Sequence, residues 1–380
     1  MDNIRLGSEK GKTMEFGYFT LSDNHYPNNP RTANQFVLEI REQAILADRI
    51  GMHSCWIGEH HFDSLGVNSR PDIMLANIAS QTKHVRLAPA VTVLPLHHPV
   101  HVAEMWATLD LLSGGRVDFA TGRGYDRNEY RPFGADFFAS AEIFEEGIDV
   151  LLKAWNSPGP WSHKGKYYDI PEMKITPSPV QKPLPFYVAS FSKTSVDMAA
   201  KRGLNIIYAP FATGMIFGGL EKAVDTYREA CIKQGKKPGR AMCSYFIFIA
   251  DDDKSEDYGR QTQLDYFNHC VLRAIPSKPE DAPPTMQYFI KITEILKNMK
   301  KENLTDRSIL LGRPEQIIES LKKVEKAGIE EVILYFNVGN KPHALVKDQM
   351  HRFMEEIAPH FQGTHLERMN VARTGRAAAA

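Results

Sequence analysis

The chain has 380 residues, 43% hydrophobic and 24% charged, with 46 basic residues balancing 46 acidic ones. Zero net charge argues against a general electrostatic grip on nucleic acid or an anionic membrane. No apolar run reaches the ~20 residues that span a bilayer, and the opening Met1-Asp2-Asn3-Ile4-Arg5-Leu6-Gly7 lacks the charged-then-apolar form of a secretory signal. Cys55, Cys231, Cys243 and Cys270 are too widely spaced for a paired-cysteine redox or zinc motif. They read as buried free thiols of a cytoplasmic protein.

Residues 1–13 precede any core pattern and are expected to be flexible. The segment 15–21 reads as the first strand, and a helix starting near Thr32 ends at the stop signal Gly51. A short buried strand follows over 54–57, then a helix over 71–81 with proline in its first turn. The β-branched stretch 85–93 predicts a third strand. A helix over 99–112 ends at Ser113-Gly114-Gly115, where glycine suits a left-handed cap. Strand 117–121 and helix 141–155 come next. Strands 186–189, 205–209, 243–249 and 331–336, with helices 194–202, 219–234 and 314–327, complete the alternation.

Eight strands with helical crossovers predict an α/β fold, a (β/α)8 TIM barrel forming one domain over 14–361. An open doubly wound sheet is the competing architecture. Two insertions interrupt the repeat. The first, 161–185, lies between strands four and five and reads as a loop or small hairpin. The second, 251–306, follows strand seven with helices near 258–272 and 286–300. Between these helices lies the proline-rich run 276–284, expected to be mobile and to work as a lid. The tail 362–380 ends in four alanines and is expected to be a second flexible terminus.

Glu59-His60-His61-Phe62 directly follows the second strand. In a barrel the carboxyl ends of the strands are the catalytic face, and histidine is the side chain best suited to move protons near neutral pH. Taken alone, the tripeptide Glu-His-His also fits a surface turn. A metal bound by Glu59, His60, His97 and His98 is disfavoured, because adjacent histidines on a strand point to opposite faces. Arg123 lies past the fourth strand between Gly122 and Gly124. A guanidinium fork suits phosphate oxygens, and the glycines permit close approach. Ser192 opens a helix past the fifth strand, where a hydroxyl and free amides suit either an anion or an ordinary cap. Gly122-Arg123-Gly124 lacks the third glycine of a dinucleotide fingerprint, and no Walker loop occurs.

Four stretches in this order, 59–62, 89–100, 112–124 and 186–192, resemble the bacterial luciferase-like flavin monooxygenases over roughly 14–361. The resemblance implies FMN, used in its reduced form and supplied by a separate reductase. Oxygen would react with it to give a flavin hydroperoxide, and one oxygen atom would pass to a small organic substrate. It implies that Arg123 and Ser192 hold the flavin phosphate, and that a non-proline cis peptide at Ala90-Val91 lies beneath the flavin ring. His60 would be the catalytic acid/base. Thr20, at the end of the first strand, is expected on the cofactor side of the pocket. Glu59, His61 and Phe62 would line the substrate pocket or support His60. Val91 is bulkier than luciferase's alanine, Gly122 replaces luciferase's reactive cysteine, and Phe191 replaces a glutamate, which argues against light emission. The family also implies a homodimer through helices 71–81 and 99–112. F420-dependent hydride transfer, or flavin binding without turnover, are the alternatives on the same barrel.

Overall fold

The computed structural model describes residues 14–362. The flexible termini expected at 1–13 and past 362 lie outside them, and residue 362 itself closes a helical turn, Pro359–Gln362. Eight parallel strands form the barrel: β1 (Glu15–Thr20), β2 (Ser54–Ile57), β3 (Arg86–Pro89), β4 (Phe119–Gly122), β5 (Phe186–Ala189), β6 (Asn205–Tyr208), β7 (Ala241–Ile249) and β8 (Glu331–Tyr335). β1 pairs with both β2 and β8, and the ladder continues through β7, β6 and β5 to β4. The Leu87 amide donates to the Arg116 carbonyl (2.8 Å) and the Asp118 amide to the Leu87 carbonyl (3.0 Å), which joins β3 to the start of β4 and closes the barrel.

Eight helices wrap the outside: α1 (Ala33–Arg49), α2 (Pro71–Gln81), α3 (Pro99–Ser113), α4 (Ser140–Asn156), α5 (Lys193–Arg202), α6 (Leu220–Lys233), α7 (Pro314–Lys326) and α8 (His343–Arg352). Local chemistry sets their ends. The Thr32 hydroxyl accepts from the Gln35 amide (3.1 Å) to start α1, and Gly114 at φ 69° ends α3. α4 shows how such a helix docks: Phe144, Ile148, Leu151 and Trp155 recur at helical spacing and are all buried. Trp106, Phe119, Trp155 and Phe186 then interlock edge to face between barrel and helices.

At the amino end of the barrel, Arg240 pairs with Glu15 and Glu331, and Glu331 also accepts from the Ser54 hydroxyl. These charges fill the amino end, and the cavity described below lies at the carboxyl end.

Several sequence expectations change. The third strand breaks at a cis peptide between Ala90 and Val91, leaving β3 and the two-residue strand Thr92–Val93. The strand Ile309–Gly312, not foreseen, runs beside the second half of β7. The first insertion is a hairpin of Trp161–Lys164 and Asp169–Met173.

The proline-rich run, expected to be mobile, carries turns at Pro279–Asp281 and Pro284–Met286. Gln287 Nε2 donates to the Pro279 and Ala282 carbonyls, and Thr293 Oγ1 to that of Pro276. The helix Tyr288–Lys297 buries Phe289, Ile292 and Leu296, so the segment is fastened by apolar burial as well as by hydrogen bonds. Nor are the residues of α3 free as one apolar surface: Val102, Trp106 and Leu109 are buried against the chain's own barrel, leaving Leu111 and Leu112 exposed, with Ile73 on α2.

Candidate active site

A cavity of about 280 Å³ opens at the carboxyl ends of the strands, bringing together Glu59, His60, Ala90, Val91, Arg123 and Ser192. Each residue after β2 has a distinct task. The Glu59 carboxylate accepts from His61 Nε2 (3.0 Å), His97 Nε2 (2.6 Å) and the Val93 amide (3.0 Å), tying the β2 loop to the segment after β3. Burial opposes its charge, but these bonds prevail and hold its pKa down at about 2. Burial also works against charged His97, and the Glu59 contact outweighs it, so its pKa is raised.

His60 turns into the cavity. Its backbone amide donates to the Asn68 carbonyl (2.9 Å), and its Nδ1 lies 3.0 Å from Glu129 Oε1. The same oxygen accepts from the His61 amide (2.9 Å), so one carboxylate positions both histidines. Burial pushes the His60 pKa down, while Glu129, Asp126 and Glu59 push it up. The balance raises it above the ordinary histidine value. With Nδ1 engaged, Nε2 has no hydrogen-bond partner among the described residues and is the nitrogen left for a ligand.

Glu129 was not foreseen. It sits on a one-turn helix, Arg127–Tyr130, with Asp126 as its cap. Asp126-x-x-Glu129 has the form of a capping box, which hides a site residue behind a helix-start signal. The structure spends the carboxylate on His60 and His61 instead.

Arg123 projects from the end of β4. Its Nη1 donates to Thr285 Oγ1 (2.7 Å), reaching the insertion after β7. No carboxylate lies within ion-pair distance of it among the described residues. Burial lowers its pKa, yet guanidinium stays charged at neutral pH. Arg123 is half-buried, and a cation without a carboxylate partner leaves its fork free to receive an anion. Ser192 caps α5, its Oγ accepting from the Ser195 amide (3.2 Å), with Ser195 Oγ returning to the Ser192 carbonyl (2.7 Å). Both serines line the cavity.

The two departures at Val91 and Gly122 are coupled. A Cβ placed on Gly122 would lie 2.8 Å from Val91 Cγ2, so the bulk of Val91 occupies the room that a side chain at 122 needs. Gly122→Cys is therefore expected to destabilise the protein by about 1–3 kcal/mol through overpacking. Adding Val91→Ala should restore most of the loss. Thermal unfolding of the single and double variants checks this, and strict additivity would show the two sites to be independent.

Two expected pocket residues lie elsewhere. Thr20 is fully buried and does not line the cavity. Its Oγ1 donates to Asn337 Oδ1 (3.0 Å), in a network where Asn337 also reaches Tyr18 and Gln43, so it fastens β1 to the end of β8. Phe62 and Asp63 adopt left-handed φ of 61° and 54°. That turn throws the Phe62 ring outward, 61% exposed, against Phe133. His61 is buried behind the site, bonded to Glu59, as a supporting residue.

The parallel eight-stranded barrel thus carries, at its carboxyl mouth, a buried His–carboxylate pair and an arginine with no ion pair among the described residues. A family model described as luciferase-like monooxygenase matches residues 14–331. The chain belongs to that family of oxidoreductases. It is 26% identical over 354 residues to the oxygenase component of a flavin-dependent trigonelline monooxygenase from Acinetobacter baylyi, covering 90% of this chain and 94% of the relative. Among solved structures, the oxygenating constituent of 3,6-diketocamphane monooxygenase from Pseudomonas putida, bound to FMN, superposes with a TM-score of 0.71 at 21% identity, over 91% of this chain and 98% of that one. An F420-dependent secondary alcohol dehydrogenase gives 0.70 at 18% identity, over 91% and 98%. These two likenesses concern the fold.

Proposed function

We propose that the chain is the oxygenase component of a two-component system, which accepts reduced FMN from a separate reductase and inserts one atom of O2 into a small organic substrate. The observation that carries this reading is Arg123, with no ion pair among the described residues, lining the same cavity as Ser192, Ser195 and His60. A flavin mononucleotide has the matching parts: a phosphate for arginine, serine and helix amides, and a ring system for the apolar walls.

The residues present fit such a group. Gly122 and Gly124 flank Arg123 and let the chain run close against Val91 and Val93, since a Cβ at either would press within 3 Å of these side chains. Ala90 and Val91 line the cavity and would support the ring. When bound, the reduced flavin supplies the two-electron activation of O2. His60 Nε2 holds or delivers a proton inside the cavity, and Glu129 fixes the ring that carries it. The aromatic side chains of the mouth exclude water.

Oxygen consumption with reduced FMN across a panel of organic substrates tests the reading; binding of FMN without any substrate-dependent uptake would leave a flavin-binding protein. The likeness to the alcohol dehydrogenase favours a second reading, F420-dependent hydride transfer. Reduction of F420 by an alcohol under anaerobic conditions, with no response to FMN, would establish it.

The insertion after β7 is a lid in this reading, because it reaches Arg123 through Thr285 and Asp281 lies 3.2 Å from Arg127. Limited proteolysis near Lys278 should slow when FMN and substrate are bound, and equal cutting with and without them removes the lid. The chain also pairs as a homodimer through α2 and α3, on the exposed Ile73, Leu111 and Leu112. Sedimentation equilibrium at micromolar concentration should return twice the chain mass. No helix among the described residues is long and apolar enough to cross a membrane, and the reading places the work in the cytoplasm.

A further inference from the structure

Beyond the residues already assigned, the cavity wall is apolar, with Phe19, Phe246, Phe267, Ile275, Ile292 and Ile333 facing it. Its charged lining side chains, among the described residues, are Glu59, His60 and Arg123. Glu59 is spent on two histidines and an amide. Arg123 is committed to the phosphate in the reading above, on which this inference rests. A cationic substrate would therefore be desolvated with no free carboxylate, and an anionic one would meet only the imidazole of His60, the proton carrier of that reading, so an uncharged substrate suits this wall best.

The hydroxyls of four lining residues, Tyr125, Ser244, Tyr266 and Tyr288, have no hydrogen-bond partner among the described residues, and Tyr288 lies toward Arg123. Tyr266 is 2% exposed. Its ring is held by Phe246, Phe267 and Tyr335 at centroid distances of 5.3, 5.8 and 5.9 Å. Tyr125 packs on Phe289 at 5.3 Å and precedes the turn whose Glu129 holds His60. Burial raises both phenols above their ordinary pKa, so they stay protonated and act as neutral donors. Both residues line the cavity, so each hydroxyl is free to donate to an acceptor that a ligand brings there.

We propose that the cavity takes an uncharged, largely apolar aromatic or alicyclic substrate bearing a hydrogen-bond-accepting oxygen, which the Tyr125 and Tyr266 hydroxyls receive in the same cavity as His60. Such an oxygen, a carbonyl or ether, fixes the substrate's orientation relative to the flavin ring and His60. The two tyrosines are specificity residues, since a site built to donate to an oxygen discriminates against the hydrocarbon that lacks it.

Isothermal titration of the full chain, with and without FMN, compares three probes: 1-tetralone, a neutral bicyclic ketone; tetralin, its hydrocarbon counterpart; and trigonelline, a pyridinium carboxylate. Tetralone should bind more tightly than tetralin, and trigonelline should not bind. Tyr125→Phe and Tyr266→Phe should each weaken tetralone about 2- to 10-fold, the worth of one neutral hydrogen bond, and leave tetralin unchanged. Thermal melts of both variants near the parent's establish that they fold. Preferential binding of trigonelline, failure of all three probes to bind, or unchanged tetralone affinity in both variants overturns the proposal. If tetralone behaves as expected but reduced FMN neither binds nor drives oxygen uptake, the cavity assignment stands and the flavin reading fails.

Discussion

His60→Ala is expected to lower product formation by roughly 10²–10⁴-fold, the usual worth of a positioned acid or base, while FMN affinity stays within a few-fold. The separation follows from geometry: His60 is anchored by Glu129 through Nδ1 and offers Nε2 to the cavity, whereas the proposed phosphate contacts, Arg123 and Ser192, follow other strands. Glu129→Gln is the sharper companion, because it keeps the shape and removes the charge. Burial alone pushes the His60 pKa down, and Glu129 is the largest of the causes that raise it. Neutralising Glu129 should therefore lower that pKa. If His60 delivers a proton, turnover is sustained below its pKa and declines above it, so the declining limb should move to lower pH in the variant.

The stability effect has the same sign. The pairing stabilises the fold fully below the pKa of a free histidine, and that contribution fades as pH rises through the elevated folded value. Glu129→Gln should thus cost more stability in mild acid than in mild alkali. Near-full turnover of His60→Ala coupled to oxygen uptake would remove the acid/base assignment. An unmoved pH profile in Glu129→Gln would remove the positioning role.

Arg123→Ala is expected to weaken FMN by one to two decades, from the loss of a charge-assisted bond worth about 1.5–3 kcal/mol. Riboflavin, which has no phosphate, should lose far less. Among the described residues Arg123 carries no ion pair to lose, so the fold should tolerate the change: what disappears is a bond to Thr285 and a half-buried charge. Fluorescence titration of both flavins against parent and variant separates phosphate recognition from ring recognition. Equal affinities for both flavins in parent and variant would place the phosphate elsewhere. Ser192→Ala would not divide these effects as cleanly, because Ser192 also caps α5, and its loss mixes helix stability with binding.

The barrel was legible because its determinants are local and periodic. The strands are short apolar runs between glycine, proline and polar turns, and all eight foreseen strands are present, most within two residues of their expected ends. The helix starts at Thr32 and Ser192 and the stop at Gly114 rest on hydrogen bonds or backbone angles that one or a few residues determine. His60, Arg123 and Ser192 could be proposed because each follows a strand end within stretches that resemble the luciferase-like family.

Contacts between distant segments were not legible. Glu129 lies 69 positions from His60, and its local pattern announces a helix cap. Thr20 and Phe62 stand at strand ends like His60, yet Thr20 turns to Asn337 across the β1–β8 seam and a left-handed turn carries Phe62 out to solvent. The exchange of bulk between Val91 and Gly122 joins residues on neighbouring strands, and each looked like an isolated departure. The insertion after β7 buries Met286, Phe289 and Leu296, which line the cavity, a packing that composition does not report. By itself, then, the sequence determined which segments are strands and helices, and which side chains arrive at the carboxyl face, because these depend on neighbours in the chain. The tertiary structure decided which of those side chains face the cavity, what holds them, and which hydroxyls remain without a partner, because these depend on side chains brought together only when the barrel closes.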